Sequence, residues 1–121
     1  MIKSEIGRLI DEVESAARLD RALLTRSTEL LRLAFPGVPL PLETTSEDLV
    51  EQVLHLVDTL LPTWTIQLIG KAMEPDGHWR CSLRETRGSD EDEMIGLGSG
   101  AVVGLALIAA LLRVALAKSA H

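Results

Sequence analysis

The chain has 121 residues and a formal net charge of −6, and it is 46% hydrophobic but only 2% aromatic. That is enough for one core built from Leu, Ile, Val and Ala, a composition that favours helices packed with a small sheet. The acid excess argues against general affinity for phosphate backbones, and the single Cys81 excludes an intrachain disulfide and a thiolate zinc cluster.

The opening stretch MIKSEIGRLIDE has no apolar core of the secretory kind, so a cytoplasmic address is expected. Ile6, Leu9, Ile10, Val13, Ala16 and Ala17 fall on one helical stripe, with Ser4 as the expected N-cap. The stripe resumes at Leu23, Leu24, Ser27, Leu30, Leu31 and Ala34. Asp20 either caps this second helix or lies inside one continuous helix. Three prolines within residues 36–41, with Gly37 beside the first, then break helical structure.

Thr45 and Ser46 are expected to cap the next helix, which buries Val50, Val53, Leu54, Val57 and Leu61 and stops at Pro62. The period then changes from helical to alternating. Trp64, Ile66 and Leu68 alternate with Thr65 and Gln67, and Trp79, Cys81 and Leu83 alternate with Arg80, Ser82 and Arg84. Between these strands PDGH supplies turn chemistry. A third strand, EMIGLG, is expected to point Ile95 and Leu97 inward, and Ser99 to cap a final helix. On that helix a broad Leu, Ile and Val arc faces the core, with Ala106, Ala110, Arg113 and Ala117 on the remaining side.

The expected fold is α+β: an N-terminal helical hairpin (residues 1–35), a Pro-rich linker (36–45) and an α-β-β-β-α sandwich (46–121) with a three-stranded antiparallel sheet. Both helices of the sandwich are expected on the same side of the sheet. The charge-free run from Met94 to Leu112 invites a C-terminal membrane anchor as an alternative. Counting from Gly100, only 13 residues precede Arg113, against the roughly 20 a span needs. Carrying Arg113 and Lys118 across would also reverse the positive-inside bias. The GxxxG of Gly100 and Gly104 then reads as close approach between packed elements.

Three segments taken together, LIDEVESAARLDRALLTRSTEL, EDLVEQVLHLVDTLLPTWTIQLIGKAMEPDGHWRCSL and IGLGSGAVVGLALIAALLRVALA, resemble the small bacteriophage and prophage proteins of the phage ABA sandwich family. The likeness covers most of the chain in the same order. It departs at Gly100 to Leu105, where the family's threonine and proline are absent. The resemblance implies a fold and a phage or prophage setting; the family has no established common activity and transfers no site residues. The helix-strand-strand-strand-helix order is also similar to the double-stranded-RNA-binding domain. The lysines that such domains carry at the start of the last helix are missing here, where the chain reads GSGAVVG.

Motifs with chemistry are scarce. His55 sits beside Gln52 and Thr59 on a helix surface, His78 in a turn and His121 at the last position. None has a partner at ligand spacing, so no metal is expected. Asp90, Glu91, Asp92 and Glu93 form an acidic loop without the spacing of a calcium loop. Cys81 alternates inward, as a core residue does. GLGSG lacks the βαβ unit of a nucleotide site, no nucleophile sits beside a base, and neither enzymatic activity nor a cofactor is expected.

The candidate binding surface is the open face of the sheet: Thr65, Gln67, Arg80, Ser82 and Arg84. The expected function is a non-enzymatic phage-derived interaction protein that binds a host or phage protein. Modulation of host nucleic-acid or defence machinery through an acidic surface is one form of it. The alternatives are a homo-oligomeric phage accessory protein, favoured by the surplus apolar arc of the last helix, and the membrane-anchored form. Neither nucleic acid nor membrane is an expected partner.

Overall fold

The computed structural model describes residues 2–38, 48–70, 79–85 and 94–119. Its elements are α1 (Ile2–Ser15), α2 (Arg21–Ala34), α3 (Leu49–Leu60), β1 (Thr65–Gly70), β2 (Trp79–Arg84), β3 (Ile95–Gly100) and α4 (Val103–Ser119). The fold is α+β, with the strands in an antiparallel meander of order β1-β2-β3.

The first two helices are separate. α1 buries Ile6, Leu9, Ile10 and Val13 along its stripe and ends at Ser15, whose Oγ donates back to the Asp11 carbonyl. Asp20 caps α2, its Oδ1 accepting from the Leu23 N–H at 2.8 Å. Ser4 lies inside α1, because the helix begins at Ile2, and so does not cap it. α2 gives way at Phe35, directly before Pro36, where the ring of a proline disfavours further helix.

The expected caps Thr45 and Ser46 fall outside the described residues. The N-cap of α3 is Asp48, which accepts from the Val50 and Glu51 N–H groups. α3 buries Val53, Leu56, Val57 and Leu60, whereas Leu54, expected in the core, is exposed. His55 lies on the exposed side.

Only α4 lies flat across the sheet, over β3 and β2; α1, α2 and α3 pack against its other sides. This corrects the expectation that α3 shares the sheet's covered face. Leu105 to Leu112 are all fully buried, as are Val114 and Ala115. A helix enclosed by a sheet and three helices has no polar side to present, which explains its all-round hydrophobicity. The surplus arc expected to seek another subunit is therefore covered within the chain. Among the described residues no helix is long and apolar enough to cross a membrane. The charge-free run is a strand followed by a helix.

β3 runs with the opposite parity to the expected one. Ile95 and Leu97 point to the open face, and Gly96, Gly98 and Gly100 point to α4. The helix lies almost backbone to backbone on this strand. A Cβ added at Gly98 would sit 2.5 Å from the Ala106 carbonyl oxygen, and one at Gly96 would sit 2.6 Å from that of Ala110. Ala106 and Ala110, expected on the outer side of the helix, are the residues that permit this approach. Ser99 lies within β3 and does not cap α4, whose first backbone bond runs from the Ala106 N–H to the Val102 carbonyl. Gly100 belongs to the strand and Gly104 to the helix, where it faces the Leu19 side chain. The GxxxG thus marks two close approaches on different elements.

Candidate functional site

Alternation along three paired strands places nine side chains on the face turned away from α4. The register sets them in three rows: Thr65, Arg84 and Ile95; Gln67, Ser82 and Leu97; Ile69, Arg80 and Ser99. The five residues expected there (Thr65, Gln67, Arg80, Ser82 and Arg84) all belong to it. Ile69, Ile95, Leu97 and Ser99 were not expected. Continuing the β1 alternation one step would have found Ile69. The β3 residues were hidden by the assumption that apolar side chains point inward.

The central row is loosely linked, with Ser82 Oγ 3.5 Å from Gln67 Oε1. Leu97 is 60% exposed and Ile69 56% exposed, and with Ile95 they put three large exposed apolar side chains on one face. Exposed Arg80 stands between Ile69 and Ser99 in its row. None of the nine residues is acidic, so this face is basic on a chain that is acidic as a whole. None is aromatic either, and Trp79 belongs to the other face. The surface therefore lacks the stacking platforms of a single-strand nucleic-acid reader.

One border of the face is built from charge. Glu14, at the end of α1, accepts from the Ser99 N–H at 3.0 Å and from Ser99 Oγ at 3.3 Å. It also receives both terminal nitrogens of Arg113, Nη2 at 2.8 Å from Oε1 and Nη1 in a shorter contact with Oε2. Arg113 Nη1 donates further to the Leu97 carbonyl at 2.7 Å. The ion pair thus satisfies an outward N–H and an outward C=O of the β3 edge, as a neighbouring strand would. The Arg113 guanidinium, above all by its hydrogen bonds, holds the Glu14 carboxyl below its ordinary value, and Glu14 raises Arg113 in return. Beside this clamp the face sinks into a shallow depression of about 440 Å³ that Arg80, Leu97 and Ile69 help to line.

Cys81 opposes Leu68 and Gly98 in the register and is buried beneath the face. Burial pushes its thiol up to about 11, so it is protonated and unreactive at neutral pH. Among the described residues no three His, Cys, Asp or Glu side chains come together as a metal site. The acidic loop of Asp90, Glu91, Asp92 and Glu93, and His78, lie outside the described residues. What this arrangement can do is bind: apolar contact from Ile69, Ile95 and Leu97, and directed hydrogen bonds from a guanidinium.

Neither a family model, a curated protein nor a solved structure matches the chain.

Proposed function

We propose that this protein is a non-enzymatic interaction module that docks a protein partner on the open face of its sheet. The observation carrying the proposal is the nine-residue face left uncovered by the described helices, which Arg80 shares with the exposed aliphatics Ile69, Ile95 and Leu97. The aliphatics supply apolar contact area, and arginine is among the residues that protein interfaces concentrate. The matching partner surface offers aliphatic side chains and a carboxylate. In the phage setting implied by the resemblance, that partner is a host or phage protein, host nucleic-acid or defence machinery included.

The test is affinity capture by the intact protein, Leu97→Glu, Arg80→Glu and, as a control on another surface, Arg18→Glu. The partner is expected with the wild type and Arg18→Glu and to be lost from the two face variants. Its affinity is expected to fall as salt rises, since Arg80 meets a carboxylate. Equal capture by Leu97→Glu would remove the open face from the reading.

A further inference from the structure

The two edges of the sheet are treated differently. On the β3 edge the Glu14–Arg113 pair occupies the outward Ser99 N–H and Leu97 C=O, whereas among the described residues no strand lies beyond β1. α4 covers β3 and β2, leaving β1 exposed on both faces. Ile66 and Leu68, on the helix side, are each 37% exposed, while Cys81 and Leu83 beside them are buried.

The direction of the free backbone groups follows from the register. The Ser99 N–H and Leu97 C=O point out of the sheet, and the Glu85 N–H bonds the Met94 carbonyl. Hence Cys81 and Leu83 bond toward β3, and Arg80, Ser82 and Arg84 bond toward β1. Their β1 partners Thr65, Gln67 and Ile69 bond inward. Ile66 and Leu68 are left with N–H and C=O groups directed outward. The strand has none of the usual guards of an open edge: no lysine, no proline, no bulge.

We infer that β1 pairs antiparallel with β1 of a second copy of this chain, with the two-fold axis at Gln67, giving a continuous six-stranded sheet. The sequence Thr65-Ile66-Gln67-Leu68-Ile69 is close to self-complementary under that operation. Ile66 meets Leu68 of the partner subunit on the helix side. Gln67 meets Gln67 of the partner subunit on the open face, where the side-chain amides can pair. Four backbone hydrogen bonds form, two from each Ile66–Leu68 rung. Charge favours the same occupant. A chain of net charge −6 meets a copy of itself best through an uncharged segment, and β1 carries no ionisable residue. The alternative, stacking open face on open face, would bring Arg80 and Arg84 of two copies together.

The experiment uses the intact protein. Light scattering over a concentration series is expected to show a dimer of the 13.2 kDa chain. Leu68→Lys places a charge on the edge without touching the bonds to β2 and is expected to weaken the dimer about ten-fold or more. An unchanged circular dichroism spectrum establishes that this variant is folded. Gln67→Cys in a Cys81→Ser background is expected to cross-link as a disulfide dimer under mild oxidation, because the two Cα atoms face each other about 4.5 Å apart. Rising salt is expected to tighten the dimer by screening two acidic chains, the opposite of its effect on carboxylate docking at Arg80. A wild type that stays monomeric, a Leu68→Lys variant as dimeric as the wild type, or a Gln67→Cys chain that stays uncross-linked would each overturn the inference. So would loss of a different protein partner from Leu68→Lys while the wild type alone is monomeric, since the edge would then serve that partner.

Discussion

Glu14 joins three elements through one carboxylate: α1 carries it, β3 donates to it from Ser99, and α4 pairs with it through Arg113. Its side chain is 21% exposed, so its hydrogen bonds are partly shielded, while Arg113 at 39% is more open to solvent. Solvent at the arginine end keeps the net contribution modest, and Glu14→Gln is expected to cost about 1–2 kcal/mol at neutral pH. The pH dependence follows from the direction of the shift. Unfolded, the carboxyl titrates near 4.5; folded, it titrates lower. The unfolded chain thus takes up the proton first as pH falls. The clamp contributes fully above the unfolded value and is lost as pH drops through the folded one. Urea midpoints across that window are expected to fall more steeply for the wild type than for Glu14→Gln. Glu12 and Arg26 form a second pair, between α1 and α2, with its shortest contact at 2.6 Å. That pair lies in solvent, and its removal is expected to matter little.

At the scale of elements, the contact between β3 and α4 inverts the usual ranking of mutations. Removing most of an exposed leucine with Leu97→Ala is expected to change stability by less than about 0.5–1 kcal/mol. Adding one methyl with Gly98→Ala drives a Cβ into helix backbone, and overpacking of this kind costs about 1–3 kcal/mol. Denaturant midpoints for the two variants check the order. The same contact shows where the sequence was legible. β2 was read correctly because its polar residues Arg80, Ser82 and Arg84 alternate with Cys81 and Leu83, so hydropathy and volume agree. On β3 they disagree: Ile95 and Leu97 are apolar, but only glycine fits beneath α4, and volume decides. β1 shows a third situation. The parity of Ile66 and Leu68 was legible, but no pattern within a strand reveals whether a helix extends over it. Five of the nine open-face residues followed from alternation alone. The Glu14–Arg113 clamp did not, because its partners are 99 residues apart in the chain.

Across the whole molecule, α4 is the shared core. The N-terminal hairpin, α3 and strands β2 and β3 all pack against it, and the buried residues form one cluster. At the far end Lys118 lies 5.3 Å from the Phe35 ring centroid, tying the last turn of α4 to the end of α2. Helices and sheet are therefore expected to unfold together. Far-ultraviolet dichroism, which follows the helices, and tryptophan fluorescence from Trp64 and Trp79, beside and within the sheet, should give coincident transitions. Leu111→Ala is expected to move both midpoints alike, with a loss of about 2–5 kcal/mol. The clamp on β3 has a further meaning at this scale. A sheet with one open edge has a valence of one, so edge-to-edge association ends at a pair. With both edges open its valence would be two, and each added molecule would offer a fresh end for the next. If β1 pairs as inferred above, Glu14 and Arg113 act as a chain stopper, separating a finite assembly from one that grows without limit.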